Sequence, residues 1–319
     1  MITQGWMRVF FGFWAFALTS TVAKTASSEP DGDFIWLLVD KVKLEASLQT
    51  LPPVTENPLL LKDFRIAIGK EKGDKVREGD NRTPEGIYFT LPHIPEEKLR
   101  REKYGTVAIP LNFPNPFDQF EKKTGHGIWI HGAGNDQRMA EENVTEGCVA
   151  FFNSEIIKLK SWLSPYQGIV VITNDSTAVN RQEDRQTVHK LAEKWIADWS
   201  TRDLAGYMEA YSPDFASNGR NKEAYRAYKT SVFHSYKNMN LEMTAIRTIT
   251  HPKYAVVFMN QDFQGDKRFR SRGRKILYWR KENDTWKILH EVFGSVSFEK
   301  QSFSRKELEA LNPILTLSP

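Results

Sequence analysis

Gly125-His126-Gly127-Ile128-Trp129-Ile130-His131-Gly132-Ala133-Gly134, followed by Thr145-Glu146-Gly147-Cys148-Val149-Ala150, carries the chemistry of this chain. The first stretch reads as a short strand ending at a histidine and then glycines, which holds the imidazole rigidly at the edge of a cleft. In the second, a glycine precedes the cysteine, so a substrate can approach the backbone closely. A thiol attacks as the thiolate and therefore needs a base or a cation beside it. His131 is the candidate base and Cys148 the candidate nucleophile; the seventeen-residue separation leaves room for a loop that returns to the same place. The Gly147 and Cys148 amides are expected to point at a developing oxyanion, a contribution of about 3 kcal/mol per donor. Cys148 is the only cysteine, so no internal disulfide can form. A lone thiol is either a small buried hydrophobe or a working group, and the paired histidine favours the second.

Outward from this stretch, residues 34–174 read as a β-rich domain. Phe34–Val39 is a short apolar run that suits a buried strand, and Phe64–Ile68, Gly86–Leu91, Gly127–Gly132 and Ile169–Thr173 are further strand candidates. Ser154–Leu163 has a helical apolar face. Residues 92–126 carry few strand signals and are expected to cover one side of the site. Asp74, Asp80 and Glu85 sit among Gly, Asn and Pro and read as turn formers.

Residues 175–186 are polar and without period, and read as a linker. Beyond it the texture changes. Val188, Leu191, Trp195 and Trp199 fall on one helical face; Leu204–Tyr211 and Lys222–Tyr236 read as helices, and strands follow near 241–250, 253–263, 274–282 and 285–293. Helices followed by strands predict a second, α+β domain over 187–297 with a curved antiparallel sheet, and a tail over 298–319. Trp195 and Trp199 read as core. The fold class is α+β throughout.

The first 26 residues stand apart. Arg8, the apolar run Val9–Leu18 and the small residues Ser20–Ala23 have the layout of a secretory signal peptide. The run is short for a membrane span, and an uncleaved anchor stays open. Export to the periplasm is the expectation. The net charge of +4 is scattered, without the basic run of a nucleic-acid arm, so no nucleic-acid partner is expected. His126, His131 and Cys148 lack the tight spacing of a metal site. Neither a metal nor another cofactor is expected.

His131-Gly132, a loop, then Thr145-Glu146-Gly147-Cys148 resembles the signature of the L,D-transpeptidase (YkuD-type) catalytic domain. Upstream, Gly69-Lys70, Gly73-Asp74-Lys75 and Gly79–Tyr88 are also similar to that family. The resemblance implies a cysteine acyl-enzyme acting on peptidoglycan stem peptides. Cys148 attacks the carbonyl after the diamino acid of a tetrapeptide, D-Ala leaves, and an amine or water resolves the thioester. It also implies that a backbone carbonyl at Gly132 orients His131, and that Thr145 shapes the pocket. Two positions depart from the pattern: Glu146 stands where His or Arg is frequent, and Ala150 where many transpeptidases carry Arg. Gly-Cys-Val-Ala, with residues 184–295 resembling a nuclear-transport-factor-two-like (NTF2-like) domain, is nearest to the cell-shape murein L,D-carboxypeptidases. The alternative is a non-catalytic wall-binding scaffold. A cysteine protease of the papain type is disfavoured, since His precedes Cys here. The second domain is expected to bind glycan or protein, or to form a homodimer.

Overall fold

Every position of β1 (Phe34–Asp40) is buried, which a strand achieves only when both of its faces are covered. The computed structural model describes residues 34–140, 143–266 and 268–294. The expected leader (1–26) and tail (298–319) lie outside them. β1 is central to a nine-stranded sheet with β2 (Glu45–Leu51), β3 (Leu60–Gly69), β4 (Gly86–Phe89), β5 (Ala108–Pro110), β6 (Trp129–Gly132), β7 (Asn143–Thr145), β8 (Val149–Phe151) and β9 (Ile169–Thr173). The order is β4-β9-β1-β2-β3-β8-β6-β5, with β7 beside β3. Three short helices decorate it: α1 (Arg101–Tyr104), α2 (Pro116–Phe120) and α3 (Asn153–Leu159).

One pairing places the site. β6 and β8 run parallel, with Ile130 opposite Val149 and His131 opposite Ala150. Residues two apart on a strand share a face. Cys148, just before β8, therefore falls on the same side as Ala150 and His131.

The second domain opens with α4 (Gln182–Thr201), α5 (Leu204–Glu209), the small ribbon β10 (Ala216–Ser217) and β11 (Arg220–Asn221), and α6 (Lys222–Ser235). β12 (Met239–Thr250), β13 (Tyr254–Gly265), β14 (Phe269–Glu282) and β15 (Thr285–Gly294) follow as an antiparallel sheet in sequence order. Two boundaries differ from the sequence reading. α4 begins inside the stretch read as a linker, because its first turns are anchored by polar contacts. Buried Arg185 donates to the carbonyls of Pro52, Pro53 and Glu56, and Gln182 to that of Val54. β14 starts earlier than 274, because Arg270 and Arg272 both bond Asp262 across the ladder and carry it through a polar segment.

The two sheets share a core. On β1, Ile35, Leu37 and Val39 face the interior of the first domain with Ile66, Ile130 and Val149. Phe34, Trp36 and Leu38 face the other way, onto Ile249, Tyr254, Val256, Phe258 and Tyr278 of the second domain. β13 alternates in the same manner: Tyr254, Val256 and Phe258 enter this shared core, while Ala255, Val257 and Met259 join Trp195, Trp199 and Tyr207 inside the second domain. Burying each large apolar side chain contributes about 1.5–3 kcal/mol. The domains are thus fused through an apolar layer rather than merely tethered.

Candidate active site

Cys148 sits at the end of a pinned turn. The Thr145 hydroxyl donates to the Cys148 carbonyl at 2.8 Å and accepts the Gly147 N–H at 3.1 Å. Gly147 has φ +121°, and a Cβ there would lie 2.7 Å from the Arg82 carbonyl oxygen, so only glycine fits. The Gly147 amide is therefore spent on Thr145, against the expectation that it points at an oxyanion; its role is to shape the turn. Cys148 is buried, and its Sγ lies 3.5 Å from the Gly127 carbonyl oxygen. Burial pushes the thiol up to about 11, opposed by a hydrogen bond from the Trp129 amide and by the charges of Lys103 and Lys75. Burial thus favours the thiol over the thiolate.

His131 is buried, with Nδ1 2.6 Å from the Gly132 carbonyl oxygen. A carbonyl only accepts, so Nδ1 carries the proton of the neutral ring and Nε2 is left as the basic nitrogen. The Tyr104 ring meets the imidazole edge-on at 5.1 Å and packs on Trp129 at 4.8 Å. Gly132 is fixed by crowding, since a Cβ there would lie 2.4 Å from Asn153 Oδ1. His131, Cys148, Thr145, Tyr104, Lys103 and Glu146 line one cleft of about 400 Å³. Ala150 also lines it, packed with Ala67, Ala133 and Met139.

Buried charged pairs brace the loops of this domain, and the lysine of one, Lys75, lines the cleft. Lys75, almost wholly buried, reaches Asp80 at 2.7 Å, while Asp80 also accepts the amides of Val76, Arg77 and Arg82. Those four contacts hold the Asp80 carboxyl down at about 2 despite its burial. Lys123 bonds Asp74 at 2.8 Å and Asp118 at 2.9 Å, and Lys41 bonds Glu85 at 3.0 Å. Asp80 is the turn former the sequence announces. Asp74 and Glu85 instead anchor buried ion pairs, and Lys253 of the second domain reaches Asp74 at 2.5 Å.

His126 is on the cleft's rim, exposed, 3.6 Å from Glu78. It precedes β6, outside the strand that carries His131. Segment 92–126 does cover one wall, through Lys103 and Tyr104 of α1. Sequence reading missed those two residues and Lys75, Lys123 and Trp129. The one available signal was Gly73-Asp74-Lys75, quoted for its pattern and not for its charges.

A second cavity, about 350 Å³, opens in the C-terminal sheet among Trp199, Tyr225, Lys229, Lys275 and Glu291. Glu291 bonds Tyr225, Tyr211 and Lys275. Lys229 Nζ lies over the Trp199 ring at 3.8 Å. Trp195 is pure core, whereas Trp199 is both core and cavity wall.

Comparison with known proteins agrees with this architecture. Residues 41–172 match the L,D-transpeptidase catalytic domain, and residues 187–292 the Cds6 C-terminal NTF2-like domain. The structure of Bdellovibrio bacteriovorus Bd1075 superposes with a TM-score of 0.71 at 26% identity, over 84% of this chain and 94% of that one. The helical cell shape determining protein Pgp2 from Campylobacter jejuni has the same fold, with a TM-score of 0.67 at 23% identity, over 82% and 92% of the two chains. A putative L,D-transpeptidase of Escherichia coli K12, YafK, is 25% identical over 170 residues, which are 53% of this chain and 62% of that protein. The chain joins an L,D-transpeptidase (YkuD) catalytic domain to a C-terminal NTF2-like domain.

Proposed function

We propose that this protein is an exported cysteine acyl-enzyme that removes the terminal D-Ala from peptidoglycan tetrapeptide stems, as an L,D-carboxypeptidase or an L,D-transpeptidase, in cell-wall remodelling and cell shape. The observation that carries the proposal is the juxtaposition of Cys148 with a His131 whose tautomer is set by Gly132. His131 Nε2 takes the Sγ proton as sulfur bonds to the carbonyl carbon after the diamino acid. The Cys148 amide, beside the reacting atoms, is the oxyanion donor. When the C–N bond breaks, His131 returns the proton to the amine of D-Ala. Water or an acceptor amine then resolves the thioester. The high resting thiol means that deprotonation accompanies attack rather than preceding it.

The NTF2-like domain is read as a binding module for glycan or protein, its cavity at Glu291 being the recess on offer. A homodimer through this domain remains a competing role. Among the described residues no helix is long and apolar enough to cross a membrane.

The test feeds purified protein a disaccharide tetrapeptide, with and without an acceptor stem, and reads products by mass. Disaccharide tripeptide marks the carboxypeptidase and cross-linked dimer the transpeptidase. Neither product, with Cys148→Ala indistinguishable from the wild type, leaves the scaffold reading.

A further inference from the structure

We propose that Lys103 is the cation that grips the free carboxylate of the stem's terminal residue, and that Glu146 is its counter-ion until the substrate carboxylate displaces it. This rests on the stem-peptide reading above and specifies how that substrate is recognised.

A residue released with a free carboxylate needs a cation or amide donors on its side of the scissile bond. The lysines lining the cleft are Lys70, Lys75 and Lys103. Lys75 is spent: it is buried and committed to Asp80 and to the Arg77 carbonyl. Lys70 is exposed at the margin. Lys103 is both placed and accessible. Its Nζ lies 5.2 Å from the centroid of the Tyr104 ring, whose edge contacts His131, so it belongs to the same aromatic shelf as the base. Opposite stands Glu146, two residues before the nucleophile, with Oε2 2.9 Å from Lys103 Nζ. The pair spans the cleft from α1 to the nucleophile's turn.

Exposure separates this pair from the buried lysine–carboxylate pairs of the domain. Lys103 and Glu146 side chains are 35% and 63% exposed, against 4% and 0% for Lys123 and Asp118. An exposed pair contributes little, whereas breaking a buried one is costly. Giving up Glu146 therefore costs little, and a substrate carboxylate held against Lys103 within the cleft keeps most of its charge-assisted bond. The Ala150 wall is small and apolar and offers the carboxylate nothing.

The experiment compares the disaccharide tetrapeptide with the same compound ending in D-alaninamide. In the wild type, kcat/KM favours the carboxylate. Lys103→Met raises KM for the carboxylate substrate about 10–100-fold and collapses the preference over the amide; Lys103→Arg restores it. Glu146→Gln, which removes the competitor, lowers KM for the carboxylate substrate a few-fold. A Lys103→Met enzyme that keeps the wild-type preference overturns the assignment, as does a Glu146→Gln enzyme with raised KM. Recognition is also read without turnover, by calorimetric titration of the tetrapeptide into Cys148→Ala with and without Lys103→Met. If the wild type turns over neither substrate, the acyl-enzyme reading fails, and the titration still decides Lys103: affinity lost on adding Lys103→Met supports it, and unchanged affinity overturns it.

Discussion

Both domains bury lysines, and they compensate them differently. In the first domain each buried ammonium has a carboxylate of its own or two: Lys41 with Glu85, Lys75 with Asp80, Lys123 with Asp74 and Asp118. The Lys123 pKa is accordingly raised by its partners in spite of burial. In the C-terminal cavity Lys229 and Lys275 face a single carboxylate, Glu291. Burial there wins at Lys229 and lowers it to about 7. The first arrangement locks the loops of that domain in place. The second leaves a cavity whose charge is adjustable near neutral pH, which suits an anionic or hydrogen-bonding occupant.

The contrast can be broken at several points. The largest effect is expected at the thiol. With Cys148 held up at about 11, alkylation by iodoacetamide is expected to be slow at pH 7 and to quicken by up to about tenfold per pH unit through pH 10, followed by intact mass. A rate flat above pH 7 would mean that the thiolate already exists at rest. Next is Lys123→Met, which leaves Asp74 and Asp118 buried with one cation fewer. A loss of about 3–5 kcal/mol in urea-unfolding free energy is expected at pH 7.

The same substitution at Lys229 is expected to act in the opposite direction. The folded-state pKa lies below the unfolded one, so the unfolded chain binds more protons between about pH 7 and the ordinary lysine value of 10.5. Wild-type stability from this group is lowest below pH 7 and rises through that window. Lys229→Met therefore stabilises by roughly 1–3 kcal/mol at pH 7, and the gain shrinks as pH approaches 10. A constant gain across pH would remove Lys229 from the account. The smallest effect is expected at Lys253→Met, about 0.5–1 kcal/mol, because that side chain is one-third exposed and Asp74 keeps Lys123.

Where side chains alternate or cluster in sequence, the fold was legible. The Phe34–Val39 run, the His131 strand end, the Gly147-Cys148 turn and the four C-terminal strands all announce themselves locally. The long-range ion pairs do not, because their partners lie far apart along the chain: Lys41 and Glu85 are 44 residues apart, and Lys253 and Asp74 are 179 apart. No local pattern marks a lysine that will be buried. The start of α4 was hidden for a related reason, since Arg185 is held by carbonyls of a proline loop rather than by apolar periodicity. Burial of β1 was readable, but what covers its Trp36 face was not. Gly147 was read as a place where substrate nears the backbone; in the structure the Arg82 carbonyl crowds it, and the Thr145 hydroxyl holds its amide away from the expected role.

β13 serves two interiors with alternate residues. Such a strand behaves as a party wall between neighbouring houses. Cutting the chain after residue 174 would strip the covering from Phe34, Trp36 and Leu38 and leave a greasy plane open to solvent. The pair is thus expected to melt as one calorimetric event. A chain without the second domain would first have to repaint that face with polar side chains.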